Sequence, residues 1–408
     1  IAVGYNISNE KFWQPIKPVI SNLKIRGSWG LVGNDATNAG RFAYMEDLVL
    51  GGSDSYTTGI RQDTYYSGPS WNRYFNPDLT WEVGEKINLG LDLQLFNDFN
   101  LTFDIFREKR RDIFMTRENS IPEIVGTGET KITSNNGEME NKGLDLAIDY
   151  NKQITKDFFL SFKSTLTFAR NKVLKMDEPP YFEYPGLSDV GHPLGTYWGY
   201  VADGLFPDQE TIDNSPRQDL GYTPQPGDIK YVNQPNAKGE YDNVINSNDR
   251  VAIGHPYDPE LVYGFGPSMK WKNWDFSFFF QGVARTSFMM YGMHPFGTTS
   301  IKNMLQFVAD DHWSVDNPNP NAAYPRLTKD SNGNNDQYST YWLRNAAFLK
   351  LKNAEIGYTY KGMRFYLSGV NLLTFSPFKH WDPEMGGGNG LYYPTQRVFN
   401  IGFQMTIQ

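Results

Sequence analysis

Five histidines, His192, His255, His294, His312 and His380, are the side chains of this sequence that titrate nearest neutral pH and bind transition metals most readily. None stands at His-Glu-x-x-His or His-x-His spacing, and all five fall in segments read as loops, so they are read as loop histidines. The run VGTGETK at 125–131 has too few residues between its glycines for a phosphate-binding loop and follows no strand-to-helix pattern. Asp145 and Asp149 would suit glycoside hydrolysis as a carboxylate pair, but they sit two pleats apart on one strand face, where a polar sheet surface explains them. Cysteine is absent, which removes disulfides, thiol nucleophiles and zinc ribbons. The sequence reads as a non-enzyme with no metal and no cofactor.

Aromatic rings are the remaining chemistry. They make up 15% of the chain and crowd the presumptive loops around Tyr65, Tyr66, Trp71, Tyr74 and Phe75, around Tyr181, Phe182 and Tyr184, around Tyr197, Trp198 and Tyr200, and around Trp313, Tyr338, Tyr341 and Trp342. Flat rings with polar edges stack on sugars or on peptide side chains. On that ground Tyr66, Trp71, Trp198, Tyr200, Trp313 and Tyr341 are the candidate ligand-binding residues. The competing reading is that these rings pack loop against loop, or against a partner.

Strands must carry these loops. In INLGLDLQLF, Ile87, Leu89, Leu91, Leu93 and Leu95 alternate with Asn88, Gly90, Asp92 and Gln94, a period of two. LDLAIDY at 144–150 and FLSFKSTLTF at 159–168 repeat the pattern, as do 261–271 and the last ten residues. Apolar residues are only 39% of the 408, and no run of roughly 18 of them exists, which excludes a membrane-spanning helix but not spanning strands of ~10 alternating residues. A net charge of -8 argues against a nucleic-acid partner. The one dense basic run, REKRR at 107–111, is expected to end a strand in water. The first ten residues contain neither the charged segment nor the apolar core of a signal peptide, so the chain is expected to be mature or to start within a longer protein.

Strands are predicted near 1–6, 22–33, 81–96, 100–115, 138–151, 157–174, 261–271, 274–291, 344–360, 363–375 and 396–408. After the first connection they alternate between short turns and long loops. Trp271 and Trp274 flank the two-residue turn Lys272-Asn273 and should be cross-strand neighbours; Tyr360 and Met363 repeat the geometry. The pattern fits an all-β, antiparallel up-and-down transmembrane barrel with long extracellular loops, Leu91 in hydrocarbon and Asp92 on a lumen wall that tolerates charge. A soluble, secreted β-rich glycan-binding or adhesive protein, with the apolar faces inside, is the alternative.

Ten stretches settle on a family. NNGEMENKGLDLAIDY, VGHPLGTYWGYVADGLF, PGDIKY, FLKLKNAEIGYTY, SGVNLLTF, DPEMGG and YPTQRVFNIGFQMTIQ occur in an order and spacing that resemble the C-terminal barrel of SusC/RagA-type TonB-dependent outer-membrane transporters, and LKIRGSWGLVGN, WEVGEKINLGLD and NPNPNAAYPRL match the same family. The resemblance covers essentially all of 1–408. It implies eleven strands of a 22-stranded barrel whose plug and N-terminal region lie outside this chain, in the outer membrane of a Gram-negative cell. It also implies energy from TonB through that N-terminal region, outer-membrane lipids around the barrel, a SusD-like surface lipoprotein as lid, and active import of a bulky nutrient. The substrate expected is an oligosaccharide, with an oligopeptide the alternative. The family often carries an oxygen-rich cation loop after PGDIKY; here the stretch 232–250 keeps Asn233, Asp242 and Asp249 but loses the central pattern, and is read as a solvated loop. The connection 175–260 should be ordered, because Tyr197, Trp198, Tyr200, Leu205, Phe206, Ile229 and Tyr231 give it something to bury, and it is the expected docking surface for the lid.

Overall fold

The computed structural model describes residues 1–408 except 37–40, 52–54, 118, 120, 122–123, 125–131, 293–303, 329–330 and 406–408. Eleven strands form one antiparallel sheet in chain order: β1 (Ala2–Asn6), β2 (Ile20–Asn34), β3 (Glu82–Leu95), β4 (Phe99–Thr116), β5 (Thr133–Thr155), β6 (Phe158–Lys175), β7 (Leu261–Trp271), β8 (Trp274–Ala284), β9 (Phe348–Tyr360), β10 (Met363–Phe375) and β11 (Val398–Met405). Every strand pairs with its chain neighbours, so the topology is up-and-down. The connections 7–19, 96–98, 156–157, 272–273 and 361–362 lie at one end of the sheet, and 35–81, 117–132, 176–260, 285–347 and 376–397 at the other. His294, the stretch 125–131 and residues 406–408 lie outside the described residues in whole or in part.

The register assigns the faces. Ile25, Leu91, Phe103, Leu146, Leu166 and Tyr263 form one cross-strand row over six strands. Such side chains stay exposed: Ile25 is 49% accessible, Leu89 54%, Leu367 48% and Ile401 87%. A sandwich would have buried this face against a second sheet, so the soluble alternative is set aside. On the opposite face Arg26 reaches both Asp92 and Asp104 at 2.9 Å. It passes over Gly90, where a Cβ would collide with the guanidinium and with Asp104. Arg364 repeats the arrangement, bridging Asp275 and Glu355 over Gly357. An apolar outside and an ion-paired inside are what a lipid-embedded barrel wall requires.

The short turns behave as the spacing requires. Trp271 pairs with Trp274, and Lys272 enters the left-handed region at φ 53° with its ammonium 5.8 Å from the Trp271 ring. Lys361 and Gly362 both have positive φ, at 48° and 80°, the backbone of a tight hairpin; glycine takes the second position without strain. Trp274 lies 4.8 Å from Tyr358 on the next strand, extending an aromatic band along this end.

Three expectations change. The segment 274–291 is not one strand: it breaks at Arg285 (φ 54°) and restarts at Ser287–Met289, which pairs with Leu343–Asn345 instead of β9. The basic run 107–111 does not end a strand; it lies inside β4, which continues to Thr116. Asp92 is not a free lumen position, because Arg26 holds both its oxygens. A lumen test therefore belongs at Asn88, whose pair partners are Ser28 and Phe106. Leu91→Arg should cost about 2 to 4 kcal/mol near the bilayer midplane and block assembly, read as loss of heat-modifiable gel mobility, while Asn88→Glu assembles normally.

Candidate functional site

The buried core of this protein is in its loops. Tyr200, Leu205, Ile229, Tyr231, Ile245, Phe288, Met290, Val308, Trp313, Tyr324 and Trp342 pack together above the sheet, drawn from the connections 176–260 and 285–347. The long connection is therefore ordered, with short strand pairs joining 197–199 to 251–253 and 202–205 to 229–231. Enclosing that core leaves polar backbone to satisfy, and one carboxylate does much of this. Asp228, in PGDIKY, is fully buried. Its Oδ1 accepts from Arg326 Nε at 2.7 Å, Asn332 Nδ2 at 3.0 Å and Asn335 Nδ2 at 2.8 Å, and its Oδ2 from the Gln225 amide at 2.8 Å. Arg326 belongs to the YPRL stretch, so two motifs about a hundred positions apart meet in one ion pair. Around it, Gln218 and Asn334 bond the Ile229 carbonyl, and Tyr231 donates to Asn334 O at 2.8 Å. Burial pushes the Tyr231 hydroxyl far above its ordinary pKa, so it remains a donor.

Against this support lies a cleft lined by tyrosine. One cavity of about 300 Å³ is bounded by Tyr291, Tyr324, Arg326, Asn335, Tyr338 and Trp342; a second of about 360 Å³ is bounded by Tyr197, Tyr257, Met289, Tyr291, Tyr338 and Tyr392. Tyr291 and Tyr338 border both cavities and are 51% and 47% accessible. A hydrogen bond with Tyr392 raises the Tyr291 pKa, which keeps the Tyr291 hydroxyl protonated at neutral pH. Tyr324 is fixed from behind, its hydroxyl 3.2 Å from His380 Nε2. Burial, and then the Arg344 charge, lower the His380 pKa, so this imidazole is neutral at pH 7. Exposed rings beside amides and an arginine can stack on flat faces and hydrogen-bond their rims.

The six residues chosen from the sequence are scattered. Tyr200 is 3% accessible and tilts against Tyr231; Trp313 is 7% accessible and lies where a Cβ on Gly227 would be. Tyr341 is half-buried, donating to Ala322 O at 2.9 Å, and Trp198 donates to Asp189 at 2.7 Å with its ring against His192. Tyr66 stacks on Tyr56 across a short hairpin and Trp71 on Tyr74 beside a second short strand pair, both in the 35–81 connection. The cleft instead uses Tyr257, Tyr291 and Tyr392, which lie in three different loops and were not among the residues chosen from the sequence. The stretch 232–250 is exposed over most of its length, as a solvated loop is, but its acids are not free. Asp249 is buried and accepts the amides of Gln234 and Asn246 at 2.7 and 2.8 Å, while Asp242 accepts that of Val244 at 3.0 Å. Its acids staple backbone.

A second clasp ties the 376–397 connection down. Lys350 is fully buried, its ammonium 2.6 Å from Asp382 and also bound to Glu384, which Lys352 reaches at 2.7 Å. Burial acts to raise both carboxyl pKa values, but Lys350, with Thr395 at Asp382 and Lys352 at Glu384, outweighs it and holds both below their ordinary range. A depressed pKa gives stability that is full above the unfolded carboxylate range near pH 4 and lost as pH falls through the lowered values. Backbone amides of 376–397 should therefore keep a constant protection factor against hydrogen exchange from pH 7 to 5 and lose protection below about pH 4. Lys350→Met should open them at pH 7, at a cost of ~3 to 5 kcal/mol for the stranded acids. Asp228→Ala, which takes the carboxylate from Arg326 and leaves its guanidinium with the Tyr222 hydroxyl at 2.8 Å, should release the 176–260 connection to limited proteolysis by a similar amount, with the barrel still heat-modifiable.

The known proteins that this chain resembles agree with the geometry. Residues 22–372 match the family described as TonB dependent receptor-like, beta-barrel. TonB-dependent receptor P26 of Formosa agariphila is 28% identical over 100% of this chain and 42% of its own length, and TonB-dependent receptor SusC of Bacteroides thetaiotaomicron is 28% identical over 99% and 39%. The chain thus spans about two fifths of these relatives. The RagAB peptide importer in its open-open state superposes with a TM-score of 0.74 at 21% identity, covering 100% of this chain and 42% of that one; the closed-closed state gives 0.71 at 22%. These likenesses are of fold. With most of its length inside the family match, and with the lipid-facing and lumen-facing rows that such a wall needs, the chain belongs to the TonB dependent receptor-like β-barrel family of outer-membrane proteins.

Proposed function

We propose that this chain is the C-terminal part of the barrel of an outer-membrane importer, and that it passes a bulky oligosaccharide through its lumen. A region outside the chain would draw energy from TonB, and a SusD-like surface lipoprotein would close the mouth from outside. The observation that carries this reading is the cleft around Tyr291 and Tyr338, held at the long-loop end above an ion-paired inner wall. A sugar ring offers an apolar face to a tyrosine ring and a rim of hydroxyls to planar amides and guanidinium, and both kinds of group line the first cavity. The 176–260 connection, folded on its own core, is the surface proposed to seat the lipoprotein.

An oligopeptide is the second reading, favoured by the likeness in fold to a transporter described as carrying peptides. The two readings separate in one experiment. In the full-length transporter with its lipoprotein, Tyr291→Ala with Tyr338→Ala should lower ligand affinity and uptake about tenfold, each ring contributing about 0.5 to 1.5 kcal/mol, without loss of heat-modifiable mobility. Oligosaccharides should compete for uptake and oligopeptides should not. Competition by peptides alone would reject the glycan reading, and unchanged uptake in the double variant would reject the cleft.

A further inference from the structure

On the outward face of β4, β5 and β6 the apolar band stops abruptly. Ile105, Leu144 and Phe168 form its last row; the row above is Arg107, Lys142 and Arg170, three cations directly opposite one another on adjacent strands. The next row is Lys109, Glu140 and Lys172. Across β4 to β6 these two rows hold five cations and one acid; on β3 Glu85 stands opposite Lys109, and Glu138 one row higher binds Lys109 at 3.0 Å. Like charges opposite one another in a sheet are destabilising, so an arrangement of this kind persists where an anion lies across it.

The side chains are posed for such an anion. Glu140 bonds Arg107 at 2.6 Å and Lys142 at 2.7 Å but is itself only 12% accessible, and Glu260, which Arg170 meets at 3.1 Å, is 4% accessible. The cations remain open, at 50% for Arg107, 59% for Lys142 and 56% for Arg170. The acids lie beneath and hold the cationic heads outward. On β9 and β10 the same outward face stays apolar to its end, through Leu373 and Phe375, so the charge is confined to one side of the wall.

Depth names the occupant. Between Lys152 and Lys142, both on the outward face of β5, the nine residues 143–151 turn only Tyr150, Ile148, Leu146 and Leu144 outward, which matches the ~9 to 11 residues that a tilted strand needs to cross the hydrocarbon. The belt lies at the long-loop end, where the outer leaflet meets water. We propose that Arg107, Lys109, Lys142, Arg170 and Lys172 form a docking surface for the phosphate groups of outer-leaflet lipid. Clustered basic side chains at headgroup depth recognise anionic lipid by charge, each adding severalfold to affinity.

The test uses the full-length transporter in neutral detergent, titrated with bisphosphorylated lipid A, with the same lipid stripped of both phosphates, and with phosphatidylglycerol. The bisphosphorylated lipid should bind roughly tenfold or more tightly than the stripped one, and weaken with added salt. Arg107→Gln, Lys142→Gln and Lys172→Gln, combined with Glu140→Gln to leave no stranded acid, should abolish that preference. Lys142→Arg with Lys172→Arg should keep it. Equal binding of stripped lipid, or an unchanged preference in a glutamine variant with normal heat-modifiable mobility, would overturn the proposal. Phosphatidylglycerol binding as tightly as lipid A would overturn the outer-leaflet source, and loss of a bound protein with lipid binding intact would reassign the belt to a protein interface. Should the glutamine variant fail to assemble, the salt dependence and the arginine variant decide.

Discussion

Backbone amides and carbonyls inside a bilayer have no water to bond, so each must find its partner within the protein. The eleven paired strands meet that demand, and nearly everything else follows from it. Once the backbone is extended and paired, successive side chains must point to opposite sides. Leu91 therefore meets lipid, and its neighbour Asp92 meets Arg26 on the lumen wall. The same constraint removes the usual hydrophobic core from between the elements, because the apolar face has lipid for its partner.

That displacement explains why the closely packed interior is found among the loops. Segments at the long-loop end stand in water and must bury apolar surface against one another to be ordered at all. Tyr231, Ile229, Phe206 and Val308 do so. Bringing irregular backbone together costs unsatisfied polar groups unless side chains reach them, and Asp228 with its arginine and asparagine partners answers that need. The tyrosine cleft rests on this polar frame and inherits its rigidity. Lys350, held between Asp382 and Glu384, fixes the last long connection to the wall in the same way.

Charge is sorted by face and by height. Arg26 and Arg364 on the inner wall are each divided between two carboxylates over a glycine, which leaves that wall polar and ion-paired. On the outer face, among the described residues of β4 to β6, cations exceed acids where the apolar band ends. The two arrangements answer different surroundings: water and solute inside, lipid headgroups outside.

The alternation of INLGLDLQLF and its counterparts made the strands legible, since a period of two has few physical causes. The boundaries 261–271 and 363–375 coincide with the observed strands because tight turns allow only one register. The membrane reading came from the alternation of short and long connections, which is also a property of order along the chain. Features set by distance in space were not legible. Tyr257, Tyr291, Tyr338 and Tyr392 come from three long connections and become a cleft only when those connections fold and pack, whereas Tyr200 and Trp313, conspicuous among other aromatics, were drawn into the core because dense apolar clusters are the first to be buried. REKRR looked like a strand end because five polar residues in a row resemble a turn; in the fold they alternate across β4, and cross-strand pairing with Lys142 and Arg170, remote in sequence, turns three isolated charges into one belt. Local periodicity is written residue by residue and survives as fold, but a site is a meeting of distant residues, and only the register and the packing of the loops decide which ones meet.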